Sequence, residues 1–217
     1  VGIIERRLRE KQQRIDQIVE AAKKIFQVKG FAESTMNDIA DSSELSRRTV
    51  YIYFKHKEEL LLSIAAKGLN SLADHIEACL NGEGSTMDRA RALFRHYGLL
   101  VAEDPGAYRF LMRYHEGVQV VGDQHDLAVA CRAAIKRNLD ALTTLLVQGA
   151  DDGSFRKFQD PVSVGRSLFF LICNSIEASV VSVSILRTVM EVEPEAMVDS
   201  LFDIFATYLN PVPIPEN

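Results

Sequence analysis

The stretch from Ser34 to Lys57, STMNDIADSSELSRRTVYIYFKHK, constrains this chain most. It reads as two short helices joined by a tight turn. Thr35 followed three residues later by Asp38 fits a capping box, with Thr35 (or Ser34 beside it) covering open backbone N–H groups. Met36, Ile39 and Ala40 then fall at helical spacing and can face a core. Asp41-Ser42-Ser43 breaks the pattern, and Ser46 is a good N-cap for a second helix that begins at Arg47. In that second helix Val50 and Phe54 are four apart and face inward, while Arg48, Thr49, Tyr51 and Ile52 fall on other faces.

Those residue types suit double-stranded DNA. Helix-turn-helix units place the N-terminal residues of the second helix in the major groove while the flanking parts hold the backbone. Arg pairs with guanine in bidentate fashion, and a Thr methyl can touch a thymine methyl. Tyr hydroxyls and helix N-termini commonly take phosphates. A solvated helix face carrying Arg47 and Arg48, with the tyrosines as half-buried packing, fits the same residues.

Residues 1–60 resemble the DNA-binding domain of TetR-family transcriptional repressors. The resemblance rests on Ile15, Ile18, Val19, Ala22, Ile25 and Phe26, on Gly30-Phe31, and on Thr35, Met36, Ile39 and Ala40. It continues through Leu45-Ser46, Thr49-Val50-Tyr51, Tyr53-Phe54 and Lys57-Glu58-Glu59-Leu60. It implies an all-α protein. A three-helix helix-turn-helix DNA-binding domain with a basic arm would occupy 1–57, and a larger helical effector-binding and dimerisation domain 58–217. It places Thr35, Arg47, Arg48, Thr49, Tyr51, Tyr53 and Lys57 toward DNA, with Ser46 at the start of the reading helix. Tyr53 and Lys57 look like phosphate clamps. Two positions depart from the family's commonest pattern. Glu44 stands where the turn usually has Gly, so it must tolerate an unusual backbone conformation. His56 stands where a small N-cap residue is usual; it either meets a phosphate or, as His is a poor N-cap, faces solvent.

The net charge of −5 looks wrong for a DNA binder until the chain is divided. Residues 1–60 hold 12 Lys+Arg against 10 Asp+Glu, while the remainder holds 13 against 20. The basic surface therefore lies at the N-terminal end. Arg6, Arg7, Arg9, Lys11 and Arg14 form an arm that either reaches phosphates or an adjacent groove, or is a solvated helix start. Cys79, Cys131 and Cys173 have no paired spacing, which points to reduced, mostly buried thiols in a cytoplasmic protein. Val1–Arg14 is too charged to read as a signal peptide. Ser167–Leu186 has one charged residue, Glu177, and is long enough to span a bilayer. Its Asn174, Ser175, Ser179, Ser182 and Ser184 favour a buried helix of a bundle instead.

The rest of the chain keeps helical patterning. Helices are expected over Glu58–Leu80, from a Thr86 cap through Val101, from Asp104-Pro105, over Asp126–Val147 with closure near Gly149, from Asp160-Pro161, and over Pro194–Leu209. Gly117–Gln124 reads as a loop or irregular turn, and Asn210–Asn217 as a proline-rich tail. By the resemblance, Pro161–Leu186 and Pro194–Leu209 pair with their copies in a four-helix dimer interface. Two half-sites would then lie about 34–36 Å apart or a multiple of it. A small effector would bind among the C-terminal helices. Phe94, Tyr97, Phe110, Tyr114 and Phe170 offer apolar lining, and His96, Arg113, Asn174 and Glu177 are the polar candidates. A flat aromatic molecule and an acyl chain suit such a lining equally. The rival readings are an enzyme and a helical small-molecule carrier. No HExxH, GxxxxGK[ST] or GxSxG pattern occurs, and the five His residues are scattered, so no catalytic residue, metal or cofactor is assigned.

Overall fold

A computed structural model of the protein describes residues 2–103, 110, 113–181 and 183–210. Every element in them is a helix. In chain order these are α1 (Gly2–Lys29), α2 (Met36–Ser42), α3 (Arg47–Tyr53), α4 (Lys57–Leu80) and α5 (Thr86–Glu103). They continue with α6 (Tyr114–Val121), α7 (Asp126–Asp151), α8 (Pro161–Val181), α9 (Val183–Thr188) and α10 (Pro194–Leu209).

The small N-terminal core follows from one apolar stripe. Ile18, Val19, Ala22 and Phe26 recur at helical spacing on α1 and are buried against Ile39, Ala40, Val50 and Phe54. Leu60, Leu61 and Ile64 from the first turns of α4 close the same cluster. The chain thus enters the larger part of the molecule without leaving the head's core. Further along, Leu69, Leu72 and Ile76 of α4 join the main cluster with Leu142, Leu145 and Leu146 of α7, Phe169 and Ile172 of α8, and Phe202 and Phe205 of α10. α4 must be apolar on most faces because it is packed on more than one side.

The α4–α7 contact carries buried polar links as well as apolar area. Asn138 is fully buried and donates its amide to the Leu69 carbonyl at 2.7 Å. The Cys131 thiol, also buried, lies 3.3 Å from the Leu62 carbonyl, and burial pushes it up to about 11. Cys173 is buried too, and Cys79 half-buried.

Three boundaries differ from the sequence reading, each because of a specific contact. α7 does not close near Gly149 but runs on to Asp151. A Cβ on Gly149 would lie 2.0 Å from the Phe155 ring, so this glycine admits a ring rather than ending a helix. Gly117–Val121 is helical, within α6. Gly117 is there because a Cβ would meet Leu62 at 2.5 Å. Ser85, not Thr86, caps α5: its hydroxyl accepts the Asp88 amide at 3.2 Å. Thr86 instead gives its amide and hydroxyl to Asp152 at 2.8 and 2.7 Å, tying the start of α5 to the end of α7. The helix read through Leu186 is described on both sides of Ser182, as α8 and α9, and Ser182 itself lies outside the described residues. α8 starts at Pro161 as expected, and Asp160 caps it through Ser163. The helix expected from Asp104-Pro105 and the tail beyond Asn210 lie outside the described residues. No described helix is long and apolar enough to cross a membrane.

Candidate nucleic-acid interface

The helix pair is held by caps at both of its starts. Thr35 accepts the Asp38 amide at 3.2 Å, and Asp38 accepts the Thr35 amide at 2.9 Å, which completes the reciprocal box. Lys29, then the Thr35 hydroxyl and amide, hold the Asp38 carboxyl down at about 2. The box therefore persists through neutral pH and is lost only as pH falls below the ordinary carboxylate range. Ser46 caps α3 by accepting the Thr49 amide at 3.1 Å, and its hydroxyl pairs with that of Thr49 at 2.8 Å. Between the two helices Glu44 adopts φ +55, the left-handed conformation that Gly usually supplies. Gln17 of α1 donates to the Ser43 carbonyl at 2.6 Å and so pins this turn to the head.

With Val50 and Phe54 buried, the other faces of α3 are presented outward. Arg47 and Arg48 are exposed, as is Tyr51; Thr49 and Tyr53 are half-buried. Among the described residues neither arginine forms an ion pair. Ile52 is 64% exposed, an apolar side chain that packing inside the head does not explain. His56 occupies the N-cap position of α4 without a side-chain cap bond and is exposed.

Lys57 is placed differently from the clamp that the resemblance implies. Its ammonium donates to the carbonyls of Phe31, Ala32 and Ser34 at 2.7, 2.8 and 3.0 Å and sits 4.7 Å from the centre of the Phe31 ring. An ammonium has three donors, and all are engaged in bracing the α1–α2 connection.

A joint between head and core emerges that sequence reasoning missed. Phe110 is 1% exposed and belongs to the head's cluster, edge-on to Phe26 at 5.8 Å. Arg113 lies over the Phe31 and Phe110 rings at 5.4 and 5.9 Å, held by two 2.7 Å bonds to Glu116. Glu59, buried in the first turn of α4, accepts the Lys55 amide at 2.9 Å and lies 3.8 Å from Nε2 of His125 at the start of α7. The one available signal was Glu at the third position of a helix, the place from which a carboxylate reaches back over the helix start.

Of the nine effector candidates, the seven whose side chains are described fall at several separate places. Phe110 and Arg113 lie at this joint. Phe94 packs between α5 and α10, its ring 5.1 and 5.5 Å from Phe202 and Phe205. The His96 ring lies 4.5 Å from that of His75. Tyr114 is half-buried, its hydroxyl 3.5 Å from Arg132. Phe170 is 56% exposed and Asn174 exposed, donating to the Phe170 carbonyl at 2.7 Å. The side chains of Tyr97 and Glu177 lie outside the described residues. Apolar spacing alone does not separate the lining of a cavity from core or from an interface. Among the described residues no three His, Cys, Asp or Glu side chains group as a metal set.

Two capped helices joined by a tight turn, with Arg47 and Arg48 exposed on the second and without ion pairs among the described residues, have the form of a helix-turn-helix unit. Residues 18–64 match the bacterial regulatory proteins of the tetR family. The HTH-type transcriptional regulator YfiR of Bacillus subtilis is 29% identical over 174 residues, 76% of this chain and 78% of that protein. The fatty acid metabolism regulator protein of the same organism is 21% identical over 164 residues, covering 75% and 81%. The crystal structure of the transcriptional regulator FadR from Bacillus subtilis in complex with stearoyl-CoA shares the fold. Its TM-score is 0.65 at 18% identity, over 90% of this chain and 100% of that one. Residues 18–64 thus carry the DNA-binding domain of the tetR family, and over about three quarters of its length the chain is similar to transcriptional regulators.

Proposed function

We propose that the chain is a cytoplasmic, ligand-released repressor that binds a palindromic operator as a homodimer and acts by binding rather than catalysis. The observation that carries this reading is the outward face of α3, where Arg47, Arg48 and Tyr51 are exposed on a helix fixed from behind by Val50 and Phe54. In this reading Arg47, Arg48, Thr49 and Tyr51 meet the groove. Thr35, Ser46 and Tyr53 meet the backbone, and Lys57 braces the loop that positions them. The head, residues 1–57, is the reading unit. Residues 58–217 carry the effector site and the dimer contact, with α4 shared between the two.

The proposed effector is an acyl-CoA thioester. Two features support it: the phenylalanine-rich packing between α5, α8 and α10, and the fatty acid regulators among the relatives. A ligand shifts a two-state equilibrium only by its differential affinity for the two states. Phe110, Arg113 and Glu59 join the head to the core, so a shift in the core moves the spacing of the paired heads. Titrating stearoyl-CoA into the protein–operator complex, followed by fluorescence anisotropy, tests this. Coupling of about 1–3 kcal/mol corresponds to a loss of operator affinity of roughly 5–150-fold. Stearoyl-CoA that binds without changing operator affinity contradicts the switch.

Arg48→Ala should cost about 1–3 kcal/mol of operator binding and relax preference at one base position. A uniform loss across all sequences makes Arg48 a phosphate contact instead.

A further inference from the structure

We propose that the first half of α1 is a second DNA-binding element. With Tyr53 it forms a cleft that takes the phosphate backbone flanking each half-site. This rests on the reading of α3 as the groove-reading helix and extends its footprint.

α1 is helical from Gly2, but the first side chain it buries in the head is Ile18. Residues 2–14 are all exposed and stand clear of the core. Arg7, Lys11 and Arg14 recur at i, i+4 and i+7, so they share one face. They line, with Gln13, Gln17 and Tyr53, a cleft of about 540 Å³ between this extension and α3. The extension is registered to the reading unit by a chain of contacts. Arg14 donates to Gln17 at 3.0 Å, and Gln17 donates to the Ser43 carbonyl in the turn between α2 and α3. Glu10 also lines the cleft, but its carboxylate is bound by Arg6 at 2.8 Å.

Charge and continuity select the occupant. The lining offers three cations and several amide donors, and no aliphatic side chain, which suits a polyanion and not a partner helix. Tyr53 belongs to α3, so a backbone lying along α3 passes directly into the cleft. The overall charge of −5 makes this concentration of cations stand out from the rest of the chain. Ile3, Ile4 and Leu8 are 73, 68 and 61% exposed beside these cations, which gives an anionic membrane surface as the competing occupant. The position of the cleft against α3 favours DNA.

The test compares the full chain with a Arg7→Gln, Lys11→Gln, Arg14→Gln variant on the duplex that the wild type selects from a randomised pool. These side chains are exposed, so the variant keeps its fold, checked by circular dichroism. The slope of log affinity against log salt should fall by about two to three units per head, since each phosphate contact contributes roughly 0.9. Hydroxyl-radical protection should recede from the flanks while base preference stays unchanged. A variant with lysine at 7 and 14 should keep the wild-type slope. An unchanged slope and footprint overturn the proposal. So does loss of binding to phosphatidylglycerol vesicles with DNA binding intact, which makes the extension a membrane element. If the wild type selects no sequence, the reading of α3 fails; the slope on random DNA still decides the cleft.

Discussion

Phe170→Glu combined with Ile204→Glu is expected to yield a folded monomer that binds operator DNA about 10²–10⁴-fold more weakly than the wild type. The size follows from linkage: joining two reading heads makes the second half-site contact intramolecular, and such avidity contributes about 10²–10⁴. The positions follow from exposure. Phe170 and Leu171 on α8 are 56 and 47% exposed, and Ile204 and Tyr208 on α10 are 65 and 49% exposed. Phe170, Leu171 and Ile204 are apolar side chains left largely open in a single chain, on the two helices proposed to pair with a second copy. Carboxylates there would be desolvated on association, which disfavours the dimer and leaves the monomer's core intact. Size-exclusion chromatography with light scattering, followed by anisotropy on the same samples, checks both halves. A variant that stays dimeric moves the interface elsewhere. A monomer that binds with wild-type affinity removes the need for two heads.

Phe110→Ala is expected to destabilise the protein by about 3–5 kcal/mol, the range for deleting a fully buried phenyl group. The ring is 1% exposed among Phe26, Phe31 and the first turns of α4, so its loss opens a cavity where the head meets the core. Urea unfolding measures the loss. Hydrogen exchange should locate it in the second half of α1 and in α2, with α7 and α8 little affected. Phe110→Leu should recover a large part of the stability, because it restores most of the apolar volume. A loss below about 1 kcal/mol for the alanine variant means that the head does not depend on this ring.

The parts of this molecule that local rules govern were readable from the sequence. The Thr35 and Ser46 caps and the inward Val50 and Phe54 each follow from a residue type at a fixed offset, whereas the left-handed Glu44 was expected only from the resemblance. Contacts far apart in the chain were not readable. Gly117 and Gly149 resemble loop signals, yet each is helical because a distant side chain, Leu62 or Phe155, fills the place of a Cβ. Thr86 looks like a cap until Asp152 claims its amide and hydroxyl across the fold. Lys57 fits a phosphate clamp by its position, whereas its ammonium finds three carbonyls of the α1–α2 connection. The effector candidates scattered for the same reason. Phe94, Phe110 and Phe170 have equal claims by spacing, and the fold sends them to a helix interface, the head's core and the surface.

The central claim is that α3 reads a defined sequence. The direct measurement is fluorescence anisotropy of the purified protein on DNA fragments from around its own gene, at two salt concentrations, with random DNA as competitor. The account predicts tight binding to one fragment that survives both competition and the higher salt. Weak binding to every fragment, lost as salt rises, would leave only a basic surface and contradict the reading of Arg47, Arg48 and Tyr51 as sequence contacts.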